Sequence, residues 1–77
     1  MRLLIKCQFD NAPQTLIKEN ATEGDARVLR AAMNGDPEAM FGVVCRITPD
    51  GPDRERLILA RCIRSVTEQY PTPSDEV

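Results

Sequence analysis

The residues able to do chemistry are few and scattered. The chain has no histidine, which removes the commonest general base, the usual partner of a nucleophilic serine or cysteine, and the commonest metal ligand. Carboxylates could still act as acid and base, yet each close pair has a structural use. Asp50 and Asp53 flank a turn, Glu23 and Asp25 fit a helix cap, and Asp75 and Glu76 lie in a polar C-terminal stretch. No glycine pattern for a phosphate loop or a dinucleotide turn is present. The three cysteines, Cys7, Cys45 and Cys62, stand alone, each in an apolar run. A structural zinc site wants four ligands in close-spaced pairs, and a secreted disulfide framework wants an even count. The cysteines therefore read as buried free thiols in a reducing compartment, with Cys62, beside Arg61, the one worth testing for reactivity. No catalytic residue, metal ligand or cofactor is expected.

Arginine is the other chemistry-bearing type. On a helical projection of residues 53–70, Arg54, Arg61 and Arg64 share one side with Ser65 and Glu68, and Arg27 and Arg30 mark the outer face of an earlier helix. Between Arg54 and Arg64 four arginines, Arg56 included, stand against one acid, Glu55. Such a face can meet phosphates or an acidic protein surface, and it also suits a solvated helix, arginine being a good helix former. No aromatic residue interleaves to stack on bases. The chain sets ten Lys or Arg against twelve Asp or Glu, a formal charge of −2, which argues against a surface given over to nucleic acid. Arg54, Arg61, Arg64, Arg27 and Arg30 are thus the candidate partner-binding residues, with protein as the expected partner and nucleic acid as the alternative.

The elements that position these groups follow from periodicity. In residues 53–70 a step of about 100° gathers Ile58, Leu59, Cys62, Ile63, Val66 and Tyr70 on one side, with start signals at Pro52 and Asp53 and a stop at Pro71. Strand alternation would bury Arg61 beside Leu59 and Ile63, so a helix is expected. Near the N-terminus, Leu3, Ile5, Cys7 and Phe9 alternate with Arg2, Lys6 and Gln8 as in a strand, broken only by Leu4; turn-forming Asp10-Asn11-Ala12-Pro13 follows, and residues 14–18 could return as a hairpin or run on as an extended connection. Thr22-Glu23-Gly24-Asp25 has the form of a capping box opening a helix over residues 22–34, and Gly35 suits a helix end at positive φ. Asp36-Pro37-Glu38 reads as the start of another helix.

Residues 39–48 obey two periods at once. A helix gathers Met40, Val43, Val44 and Ile47, whereas a strand gathers Phe41, Val43, Cys45 and Ile47. The turn through Asn34-Gly35-Asp36-Pro37 resembles those inside tetratricopeptide-type helical repeats, over about a dozen residues and with no second copy. No function is carried over from it.

The fold class expected is mainly α: a strand or short hairpin, then three helices over residues 22–34, 37–47 and 53–70. The alternative is α+β, with residues 39–48 as a strand beside β-forming residues 2–9 and two helices on one face. Residues 1–70 form one small domain and 71–77 a disordered acidic tail. Leu3, Leu4 and Ile5 are cut short by Lys6, too brief a run for a signal peptide, and no membrane span is evident, so a cytoplasmic protein is expected. A chain of this kind is expected to act as a non-enzymatic regulator, inhibitor or assembly subunit that occupies a surface of a protein partner. Apolar faces on every element also argue for a homo-oligomer, its seam at the edge of the N-terminal strand or along the last helix.

Overall fold

A computed structural model of the chain describes residues 1–70; the stretch 71–77, expected as an acidic tail, lies outside the described residues. Strand β1 (Arg2–Phe9) turns at Asp10 and Asn11 into β2 (Ala12–Lys18), with Phe9 opposite Ala12 and Leu3 opposite Lys18. Alternation works as expected: Leu3, Ile5 and Cys7 are buried, and Arg2, Lys6 and Gln8 are exposed. Asn20, at φ 53°, swings the chain out of β2 toward helix α1 (Glu23–Asn34). The capping box is present, with the Asp25 N–H donating to Thr22 Oγ1 at 3.2 Å and the Thr22 N–H donating to the Asp25 carboxylate at 3.0 Å. Gly35 closes the helix at φ −102°, not at the positive φ its type suggests.

Beyond α1 the chain is β, and the mainly α expectation is corrected. Strand β3 (Met40–Cys45) pairs antiparallel with β4 (Arg54–Leu59), and a 3-10 turn over Ala60–Cys62 leads to β5 (Ile63–Gln69), which pairs antiparallel with β1. The described residues thus hold five strands and one α-helix. The α+β alternative put a strand over residues 39–48, of which only Met40–Cys45 form one, and it placed that strand beside the wrong neighbour with one helix too many.

Two local causes explain the difference. Asp36 does not cap a helix: its carboxylate accepts the Glu38 N–H at 2.9 Å and its carbonyl accepts the Ala39 N–H at 3.1 Å, closing a turn on itself. The Pro37 carbonyl then accepts the Arg61 N–H at 3.2 Å, which ties the turn to the far end of β4. The likeness to a helical-repeat turn ends there, since a strand follows. In residues 53–70 the helical period is produced by a bulge. Lys6 stands opposite Ser65 but Cys7 stands opposite Ile63, so Arg64 is an extra residue on β5, and Ile63 and Val66 face the core although three apart. Arg61, which a continuous strand would have buried, lies exposed in the 3-10 turn.

The strands form a sheet ordered β2-β1-β5 and a ribbon β3-β4. One bridge joins them, with Ile17 and Arg46 exchanging backbone hydrogen bonds of 2.8 and 2.9 Å. The core lies between sheet, ribbon and helix, where Leu3, Ile5, Leu16, Ile58, Cys7 and Cys45 are fully buried and α1 adds Ala26 and Leu29. Strand β1 runs through the middle of its sheet, so the expected oligomer seam at its edge does not exist. No helix among the described residues is long and apolar enough to cross a membrane.

Candidate strand-addition groove

The five candidate arginines do not form one face. Arg54 opens β4 while Arg61 follows its end, so a six-residue strand, about 20 Å at 3.3 Å per residue, separates them. Arg61 donates to Glu38 at 3.0 Å, and Arg64, at the bulge, donates to the Arg61 carbonyl at 3.2 Å. On α1, Arg30 clips the helix to β5, donating to Glu68 Oε2 at 2.5 Å and to the Val66 carbonyl at 3.1 Å. Arg27 shares a shallow depression with Arg30, but Glu23 and Glu68 line it too, so its charges balance. Glu68 is held below the usual carboxylate range, first by the Tyr70 hydroxyl, which donates to it at 2.5 Å, and then by Arg30. Arg56 points to the inner face of the ribbon, opposite Val43, with its Nε lacking a hydrogen-bond partner among the described residues.

The cysteines are free. Cys7 and Cys45 are buried and Cys62 is half-buried. Burial, with Cys62 and Cys45 close by, pushes the Cys7 thiol up to about 11, and burial also raises Cys45. Among the described residues no group of three or more Cys, Asp or Glu side chains is placed to hold a metal ion.

What the fold does leave open is backbone. In an antiparallel ladder alternate residues turn both N–H and C=O to one neighbour or to the other. The Ala60 N–H donates to the Ala39 carbonyl at 2.8 Å, so odd-numbered β3 residues serve β4. The Ile17–Arg46 exchange says the same from the other side, since it turns even-numbered residues toward β2. Met40, Gly42 and Val44 therefore aim their N–H and C=O groups at the place a next strand would occupy. Strand β2 does not fill it. Past Ile17 the chain bends away at Asn20, and the Ala21 N–H finds the Met1 carbonyl at 2.7 Å.

Helix α1 walls the vacated lane on its far side. Val28 and Leu29 of α1, Lys18 of β2, Asp25, and residues 41–44 of β3 line a groove of about 230 Å³. Its lips are apolar and bare, Val28 being 65 % exposed and Val44 51 %. One end is closed by the strand bridge, which Glu19 locks by holding the guanidinium groups of both Arg2 and Arg46. Glu19 sits below the usual carboxylate range, chiefly through its hydrogen bond from Arg2. Lys18 and Asp25 add one charge of each sign to the rim.

Sequence reasoning missed the groove. The available signal was excess: α1 meets the core through Ala26, Leu29 and Met33, which leaves Val28 over, and β3 carries apolar residues on both faces, as in Val43-Val44. Comparison with known proteins adds nothing to this, because no protein-family model, curated protein or solved structure matches the chain.

Proposed function

We propose that the protein is a non-enzymatic protein-binding module that captures an extended segment of a partner polypeptide as an added strand on β3, and so regulates or assembles that partner by occupying it. One observation carries this reading: among the described residues, a strand edge without a partner faces an apolar groove walled by a helix. Main-chain hydrogen bonds to Met40, Gly42 and Val44 would supply affinity, and side chains on one face of the guest strand would rest on Val28, Leu29 and Phe41. The guest needs alternating apolar residues and no proline where it meets the edge. A guest of five or six residues covers the three bonding positions.

Selection from a random peptide library against the full chain tests this. Enriched peptides should alternate apolar residues, should shift the amide resonances of Gly42, Val44 and Val28, and should lose at least tenfold in affinity to Val28→Asp, whose position is already exposed. Enriched peptides that shift other regions instead, or bind Val28→Asp equally well, would overturn it. Binding to DNA or RNA at about 0.15 M salt, lost on replacing Arg27, Arg54, Arg61 and Arg64, would favour the nucleic-acid alternative.

A further inference from the structure

The ribbon has a second open edge, on β4. By the same alternation, Arg54, Arg56 and Ile58 turn their backbone groups to β3, and Glu55, Leu57 and Leu59 turn theirs outward. The outer edges of the three-stranded sheet are blunted. Strand β2 carries Pro13, and β5 is bulged at Arg64 with its Val66 carbonyl taken by Arg30. Strand β4 has neither proline nor bulge.

Its exposed side chain is also unusual. Leu57 is 72 % exposed, and the residue opposite it on β3 is Gly42, which offers no side chain to pack against. Glu55 folds across the space above Gly42 instead, close enough that a Cβ there would lie 2.8 Å from Glu55 Oε2. Met40, 59 % exposed, and Val44 continue the same outer face. An apolar side chain without a cross-strand partner, on a strand with free outward N–H and C=O groups, calls for a strand from outside.

We propose that this strand is β4 of a second copy, paired antiparallel about a two-fold axis through Leu57. Charge selects that register. Centring the axis on Glu55 or Arg56 sets like charges face to face, whereas centring it on Leu57 sets Leu57 against its twin, Glu55 against Leu59, and Arg56 against Ile58. A centre on Ile58 would run the pairing into the 3-10 turn and shorten it. In the Leu57 register each Leu57 supplies the partner that Gly42 lacks, and the two ribbons become one four-stranded sheet. The groove on β3 lies on the opposite edge, so dimer and peptide complex do not compete.

Sedimentation equilibrium of the full chain, with Leu57→Pro and Leu57→Cys, tests this. The wild type should sediment as twice its 8.6 kDa chain mass and dissociate on dilution. Leu57→Pro removes only an outward N–H, so it should keep the circular dichroism spectrum and sediment as a monomer; should it unfold, Leu57→Lys, which keeps the N–H, should give the monomer. Leu57→Cys should cross-link to its twin under mild oxidation, because hydrogen-bonded antiparallel partners lie about 5.5 Å apart at Cα, within disulfide reach. Glu55→Cys, four residues out of register with its own twin, should not. A wild type that stays monomeric at several hundred micromolar, a dimer indifferent to both Leu57→Pro and Leu57→Lys, or equal cross-linking at positions 55 and 57 would overturn the proposal. Peptide capture by β3 would be untouched by any of these results.

Discussion

Glu19 receives two guanidinium groups and Glu68 receives a hydroxyl and a guanidinium, and both carboxylates are thereby held below their ordinary value. A depressed folded-state value means stability that is fully present above the unfolded-state value, about 4.3, and lost as pH falls through the folded-state one. Urea midpoints measured from pH 7 downward should therefore fall below about pH 5, and Glu19→Gln should flatten that fall while lowering the plateau. A Glu19→Gln profile parallel to the wild type would contradict the pairing. The thiols give a second residue-level test. At pH 8 a Cys7 held near 11 is about one thousandth thiolate, so Ellman's reagent should find Cys62 first and reach Cys7 and Cys45 only through opening of the fold. Uniformly fast reaction of all three would count against the core described. At this scale the sequence was readable where a few neighbouring residues decide the outcome, as in the capping box of Thr22 and Asp25. It misled where the same residue types serve two geometries: Asp36-Pro37-Glu38 suits a helix start and equally a turn closed on the Asp36 side chain.

Among the elements, the bulge has the widest consequences. A strand interrupted by one extra residue repeats every three positions across the interruption, which is what a helix does. Periodicity alone could not distinguish them in residues 53–70. Burial of Ile63 and Val66 was expected correctly, but for a helix; Leu59, expected beside them, is only half-buried and lies on the outer face of β4. Ile63 is 5 % exposed, so Ile63→Ala should cost about 2–5 kcal/mol in urea unfolding, enough to threaten a domain this small. Leu57→Ala, at an exposed position, should cost less than about 0.5 kcal/mol at concentrations where the chain is monomeric. Equal losses at the two positions would mean that the strand faces are assigned wrongly. The N-terminal strand was legible because Leu3, Ile5 and Cys7 alternate with polar residues, Leu4 alone breaking the pattern, while the return strand of the hairpin was only one of two readings.

As a whole, the molecule packs a three-stranded sheet, a helix and a two-stranded ribbon around one core. Among the described residues one strand bridge, Ile17 to Arg46, connects the ribbon to the sheet, and both ribbon edges keep unpaired backbone groups. A two-stranded ribbon is marginal by itself, and here only its inner face, through Val43, Cys45 and Ile58, is secured by the core. None of this was visible in the sequence, because an open edge is defined by where β2 turns away, at an Asn20 whose positive φ is a common minor habit of asparagine. The most direct test is amide hydrogen exchange along β3. In the free protein the Phe41, Val43 and Cys45 amides should be protected by β4, while those of Gly42 and Val44 exchange quickly. Saturation with a library-selected peptide should slow Gly42 and Val44 at least tenfold and leave the Leu57 amide on the opposite edge unchanged. Gly42 and Val44 amides already protected in the free chain, or still fast in the saturated complex, would contradict strand addition at β3.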